Sequence, residues 1–175
     1  MNKRPAFHRV KIFLCDVDGV LTDAGVYVGK GTELKRFNIQ DGMGLRLLRH
    51  VGIEVGWVSN RASPATTRRA RELKVDYLWQ KPMSKFDGVE GILKQAKLDW
   101  VDACFMSDDL NDLKVLRRVG LPIAVANAVA EVKKVAHYTT KARGGDGAVR
   151  EVCDRIIKSQ GLWNGLVRKL SGLDE

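Results

Sequence analysis

Several things this 175-residue chain lacks narrow what it can be. It has three cysteines, Cys15, Cys104 and Cys153, all in apolar segments and without metal-ligand spacing, so neither a disulfide framework nor a zinc site is expected. They read as reduced core thiols, which points to the cytoplasm. The three histidines, His8, His50 and His137, are dispersed and suggest no metal cluster or triad. Met1 to His8 is basic, but no apolar stretch of signal-peptide length follows it, and no apolar run approaches the ~20 residues a membrane span needs. Acidic residues are outnumbered, 21 against 30 basic, giving a formal charge of +9. No zinc pattern, aromatic-interleaved basic strand or arginine-rich tail accompanies that charge. It is read as a basic solvated surface, as in Thr66-Thr67-Arg68-Arg69-Ala70-Arg71, that attracts small anions rather than nucleic acid.

With 45% hydrophobic residues the length suits one well-buried core, and a single domain over 1–175 is expected. Ile12-Phe13-Leu14-Cys15 is a short apolar run without helical spacing, as in a strand buried on both faces of a parallel sheet. Asp16 and Asp18 follow it, two residues apart and so on one side of extended backbone, and Gly19 allows a sharp turn. Carboxylates at a buried strand end call for a compensating cation.

Gly25 to Gly29 and Glu33 to Asn38 flank a Gly29-Lys30-Gly31-Thr32 turn and predict a hairpin over about 24–38. A hairpin alone is marginal in water, so this one is expected to pack on its own domain or on another subunit. Asp41 is placed to cap a helix running to Gly52. Strands are then predicted at 53–58, 75–79, 103–106 and 122–126, with helices from Pro64, from Ser84, from the Asp108 cluster and from Ala128. A short strand at 136–139 and a helix through Val149, Val152, Ile156 and Ile157 follow, and the tail from 161 docks or frays. The alternation argues for a three-layer, Rossmann-like α/β fold with a mostly parallel sheet.

Polar clusters follow successive strands: Asp16 and Asp18, then Ser59, Asn60 and Arg61, then Lys85 (or, less well placed, Lys81), then Asp108, Asp109 and Asp112. Carboxyl ends of the strands share one edge of an open α/β sheet, so four clusters converge on one crevice.

Taken together, Asp16-Val17-Asp18-Gly19-Val20-Leu21-Thr22, Ser59, Lys85 and Asp108-Asp109-Leu110-Asn111-Asp112 resemble the motifs of the haloacid dehalogenase superfamily of phosphatases. The short spacing leaves no room for a cap domain. The hairpin, Phe37 to Gly44 and Gly144 to Glu151 resemble the capless 3-deoxy-D-manno-octulosonate 8-phosphate phosphatase subfamily. This resemblance implies a Mg²⁺-dependent homotetramer acting on a phosphorylated 3-deoxy sugar acid, with a nonulosonate 9-phosphate as the alternative substrate. It implies Asp16 as nucleophile and Asp18 as acid/base. Mg²⁺ would be held by Asp16, the Asp18 carbonyl and Asp108, with Asp109 and Asp112 behind them. Ser59, Asn60, Lys85 and Arg61 would hold phosphate or substrate, and the glycine-rich segment with Arg150 would lie near a neighbouring subunit's site. Asn60 stands where the subfamily has glycine, a position where a left-handed turn is expected. A phosphoryl-accepting signalling module or a silent sugar-phosphate-binding protein are readings of other classes. The order of the motifs, with Asp-x-Asp-Gly first, runs against a receiver.

Overall fold

The computed structural model describes residues 5–172; the first four residues of the basic opening segment and the last three of the tail lie outside that span. Its centre is a six-stranded sheet of β1 (Ile12–Cys15), β4 (Glu54–Ser59), β5 (Tyr77–Gln80), β6 (Ala103–Ser107), β7 (Leu121–Ala124) and β8 (Tyr138–Thr139). The order is β5-β4-β1-β6-β7-β8 and every pairing is parallel. Strand order reverses at β1, so the crevice beyond its carboxyl end is the topological switch point of the sheet. All four residues of β1 are buried, as its uninterrupted apolar sequence requires. Helices α1 (Ile39–His50), α2 (Pro64–Glu72), α3 (Lys85–Ala96), α4 (Leu113–Leu116), α5 (Ala130–Val135) and α6 (Ala148–Ser159) alternate with the strands, and α7 (Trp163–Ser171) follows. Among the described residues there is no cap domain, and no helix is long and apolar enough to cross a membrane.

Local signals account for most element starts. Ser63 accepts from the Thr66 N–H with Pro64 in the first turn of α2, and Ser84 accepts from the Asp87 N–H at the head of α3. Three elements differ from expectation. The hairpin is shorter, β2 (Tyr27–Gly29) paired antiparallel with β3 (Thr32–Leu34). Beyond β3 the side chains of Lys35 and Arg36 turn to partners elsewhere in the chain, and Phe37 stacks on Trp57, with ring centroids 6.1 Å apart. The cap of α1 is Asn38, whose Oδ1 accepts from the Gln40 and Asp41 N–H groups. Asp41 instead reaches across to α6, accepting from the N–H of Arg150 at 2.8 Å and of Gly147 at 3.3 Å, and so caps a helix more than a hundred residues away. Thirdly, the helix after Asp108 is a single 3₁₀ turn, Leu110–Asp112, leading into the four-residue α4.

Glu151 closes the last crossover. It accepts from the Tyr138 hydroxyl and from the N–H groups of Lys141 and Ala142. Burial pushes its carboxyl up, but those bonds outweigh burial and hold it below its ordinary value. A depressed carboxylate contributes stability that is present above the unfolded-state value of about 4.5 and lost as pH falls through the folded one. Glu151→Gln should therefore cost about 1–2 kcal/mol at pH 7. In denaturant melts across pH the gap to the wild type should close below about pH 4; a constant gap would contradict this account.

Candidate active site

The site is built at the switch point. β1 ends at Cys15; Asp16 directly follows the strand and Asp18 stands in the turn beyond it, so the turn, not strand alternation, brings Asp18 to the crevice. Asp16 N donates to Met106 O of the neighbouring strand at 3.0 Å, prolonging the ladder by one bond. Gly19 has φ +85°, and a Cβ there would lie 1.9 Å from Asp108 Oδ2. Only glycine lets the two acidic segments approach this closely. Gly144 packs against the back of the same turn, where a Cβ would lie 1.8 Å from Gly19 O. Asn127 ties the two, donating to Gly19 O at 3.2 Å and accepting from Gly144 N at 2.7 Å. The glycine-rich segment therefore supports the acidic turn of its own chain. The Arg150 guanidinium is engaged within α6, by Asp154 at 2.7 Å.

Lys85 is the hub of the charges. Its side chain is buried, with the ammonium 2.7 Å from Asp16 Oδ2 and 3.0 Å from Asp112 Oδ1. Burial works against that charge, but Asp112 and Asp16 outweigh it and hold the ammonium above its ordinary value. Lys81, the other candidate, is exposed. Asp112 also accepts from Ser107 Oγ at 2.7 Å. Asp109, by contrast, points Oδ1 at the next N–H, that of Leu110, and caps the 3₁₀ turn. Burial pushes Asp16, Asp108 and Asp112 all up, Asp108 to about 6. Two buried carboxylates, Asp16 and Asp112, thus share one ammonium beside the half-buried Asp108, a cluster short of positive charge, and the Asp108 Oδ1 atom is buried without a hydrogen-bond partner.

Ser59 ends β4, its hydroxyl bonded both ways with the Arg61 backbone. Asn60 has no left-handed backbone; the described non-glycine residues with positive φ are Ala24, Lys74 and Lys97. Its side chain supplies another reason for its presence: the amide donates to Lys81 O and Met83 O and accepts from Asn111, joining three loops at the rim. Arg61 pairs with Glu33 of the hairpin. A cavity of about 270 Å³ brings together Asp16, Asp18, Ser59, Lys85 and Asp108, with Asn60, Arg61 and Asp109 also on its wall. Asp112 lies behind it, against Lys85. Among the described residues no three His, Cys, Asp or Glu side chains form a ready metal-ligand set, so a cation here needs backbone oxygen or bound ligand as well.

The residue sequence reasoning missed is Lys35. Its side chain is fully buried, and its ammonium lies 2.7 Å from Asp18 Oδ1 as an ion pair without hydrogen-bond geometry. The same nitrogen donates to Thr66 Oγ1 at 3.3 Å. Two residues earlier on the same face of the strand, Glu33 accepts from Ser63 Oγ and pairs with Arg61. The available signal was that spacing of Glu33 and Lys35.

A switch-point crevice holding two acidic turns, a buried lysine and a serine at a strand end defines a phosphoryl-transfer class of α/β enzyme. Residues 59–152 match the family model of haloacid dehalogenase-like hydrolases, and the chain belongs to that family. Within it, the chain is similar to 3-deoxy-D-manno-octulosonate 8-phosphate phosphatases. It is 38% identical to that of Yersinia pestis over 157 residues, 89% of this chain and 84% of the relative. With that of Escherichia coli K12 the identity is 37% over 153 residues, 87% and 81% of the two chains. The crystal structure of the Moraxella catarrhalis phosphatase, in complex with magnesium, phosphate and KDO, superposes with a TM-score of 0.90 at 34% identity, covering 94% of this chain and 95% of that one. The cobalt-bound Haemophilus influenzae phosphatase superposes with a TM-score of 0.86 at 32% identity, covering 89% and 91%.

Proposed function

We propose that this chain is a Mg²⁺-dependent phosphatase of 3-deoxy-D-manno-octulosonate 8-phosphate, a step in lipopolysaccharide biosynthesis carried out in the cytoplasm. The observation that carries the reading is the buried Asp16–Lys85 pair facing the unpartnered Asp108 oxygen across the crevice. The charge deficit there suits a divalent cation, which Asp16, the Asp18 backbone carbonyl and Asp108 would hold. When bound, Mg²⁺ supplies positive charge for the phosphate oxygens in an oxygen-only site.

This chain's own residues do the rest. An Asp16 carboxylate oxygen attacks phosphorus, forming an aspartyl phosphate as the ester P–O bond breaks. Asp18 delivers its proton to the departing sugar oxygen and then accepts one from the water that attacks the aspartyl phosphate, releasing inorganic phosphate and restoring Asp16. Lys85, the Ser59 hydroxyl and the Asn60 backbone N–H hold the three equatorial oxygens, while Asp112 keeps Lys85 aimed at them. Arg61 faces the sugar acid from the rim.

The test is phosphate release with and without Mg²⁺ over sugar-acid phosphates that include the octulosonate 8-phosphate and a nonulosonate 9-phosphate. Turnover highest on the octulosonate ester supports the reading. Preference for the nonulosonate would move the substrate, and no metal-dependent release from any ester would remove the activity.

The hairpin supports a homotetramer. Its inward face is charged and engaged, through Glu33 and Lys35, whereas Tyr27 and Leu34, directly paired across the strands, are 66% and 61% exposed. Such a surface on a two-stranded ribbon calls for a partner, and other copies of the same ribbon fit it. Light scattering should give four times the chain mass for the wild type and a smaller particle for Tyr27→Asp/Leu34→Asp. A monomeric wild type at micromolar concentration would contradict the tetramer.

A further inference from the structure

We infer that Lys35 is a positioning residue for the leaving-group step, holding Oδ1 of the Asp18 carboxyl group to the hairpin side so that the other oxygen, the one that carries the proton in this step, faces the departing sugar oxygen; this rests on the phosphatase reading above. The side chain is fully buried, yet it comes from a hairpin arm that is otherwise exposed, and its charge sits 2.7 Å from Asp18 Oδ1. A lysine loses rotamer freedom and hydration in such a place, so the pairing must be compensated locally. Three contacts do so. Asp18 Oδ1 provides the opposite charge, Thr66 Oγ1 in the first turn of α2 accepts from the ammonium, and Glu33 fastens the same strand to Ser63 and Arg61.

The ion pair lacks hydrogen-bond geometry, so Lys35 acts on Asp18 as a fixed point charge and not as a tight donor. With Oδ1 drawn to the hairpin side, Oδ2 is the oxygen left for the substrate. Asp18 stands in a turn and is more exposed than Asp16, so its own backbone does less to fix its carboxyl. The hairpin thereby completes a chemical group on the parent domain, which gives its charged inward face a role separate from any subunit contact.

General acid assistance matters in proportion to how poor the leaving group is. The sugar alcohol of the octulosonate ester needs a proton as it departs; p-nitrophenolate does not. The experiment follows leaving-group release in the first turnover of the Mg²⁺-loaded enzyme on both esters, for the wild type, Lys35→Met, Lys35→Arg and Thr66→Val. First-turnover rates isolate formation of the aspartyl phosphate from its later hydrolysis. Lys35→Met is expected to lose about 30- to 100-fold on the octulosonate ester and less than about 5-fold on p-nitrophenyl phosphate, a part of what a general acid supplies. Lys35→Arg should recover most of the loss. Should Lys35→Met not fold, Thr66→Val, which removes the acceptor behind the ammonium, should show the same ester dependence more weakly. Equal losses on both esters, a rise in KM alone, or no recovery with Arg would overturn the inference. A wild type that turns over neither ester would instead overturn the phosphatase reading.

Discussion

Asp16→Asn should abolish multiple turnover, with kcat on the octulosonate ester lowered by about 10⁴-fold or more, as expected when a covalent nucleophile is removed. The substitution is nearly isosteric and keeps an oxygen for the Val17 N–H that Oδ1 accepts at 2.6 Å. It removes the charge opposite Lys85. The cluster of Asp16, Asp112 and the half-buried Asp108 around one lysine becomes better balanced by that loss, so the variant should fold and melt within a few degrees of the wild type. Undiminished phosphate release by a folded Asp16→Asn would rule out this carboxylate as nucleophile.

Asp18→Asn comes next in size, at about 10²- to 10⁴-fold in kcat, the range a general acid/base contributes. The amide cannot give or take the proton, but the backbone carbonyl assigned to Mg²⁺ is unchanged. Mg²⁺ affinity, read by calorimetry, should stay within a few fold of the wild type. A complete loss of metal binding would mean that the Asp18 side chain, and not its carbonyl, is the ligand. The two variants also differ in what they leave behind: Asp16→Asn cannot be phosphorylated, whereas Asp18→Asn can be phosphorylated by an ester with a good leaving group and then lacks the base that clears it.

What the sequence disclosed and what it hid have a common physical basis. Asp16, Asp18, Ser59 and the Asp108 cluster are legible because each directly follows a buried apolar strand, and parallel strands deliver their carboxyl ends to one edge. Lys85 was legible as the residue after a capping serine. The mostly parallel sheet followed from the alternation of strand and helix, and every pairing of the six-stranded sheet is parallel. Hidden were contacts that depend on docking of distant pieces. Asp41 reads as the cap of its own helix, but Asn38 takes that place, and Asp41 serves α6, whose position no local pattern encodes. Lys35 reads as one polar residue in an alternating arm, and only the folding of the hairpin onto α2 carries it to Asp18. The tail hid a helix, since Trp163 to Ser171 has few strong formers; Leu166 is buried, and the Lys158 ammonium lies over the Trp163 ring at 4.4 Å.

The proposed mechanism forms a covalent bond to one oxygen of one residue. Acid quench of the Mg²⁺-loaded Asp18→Asn enzyme during turnover of p-nitrophenyl phosphate, followed by peptide mapping by mass spectrometry, reads that bond. One phosphoryl group on the peptide carrying Asp16, absent when Asp16 is also Asn, is the result expected. Turnover with no phosphoryl group on the chain, or with one on any other residue, would contradict the account.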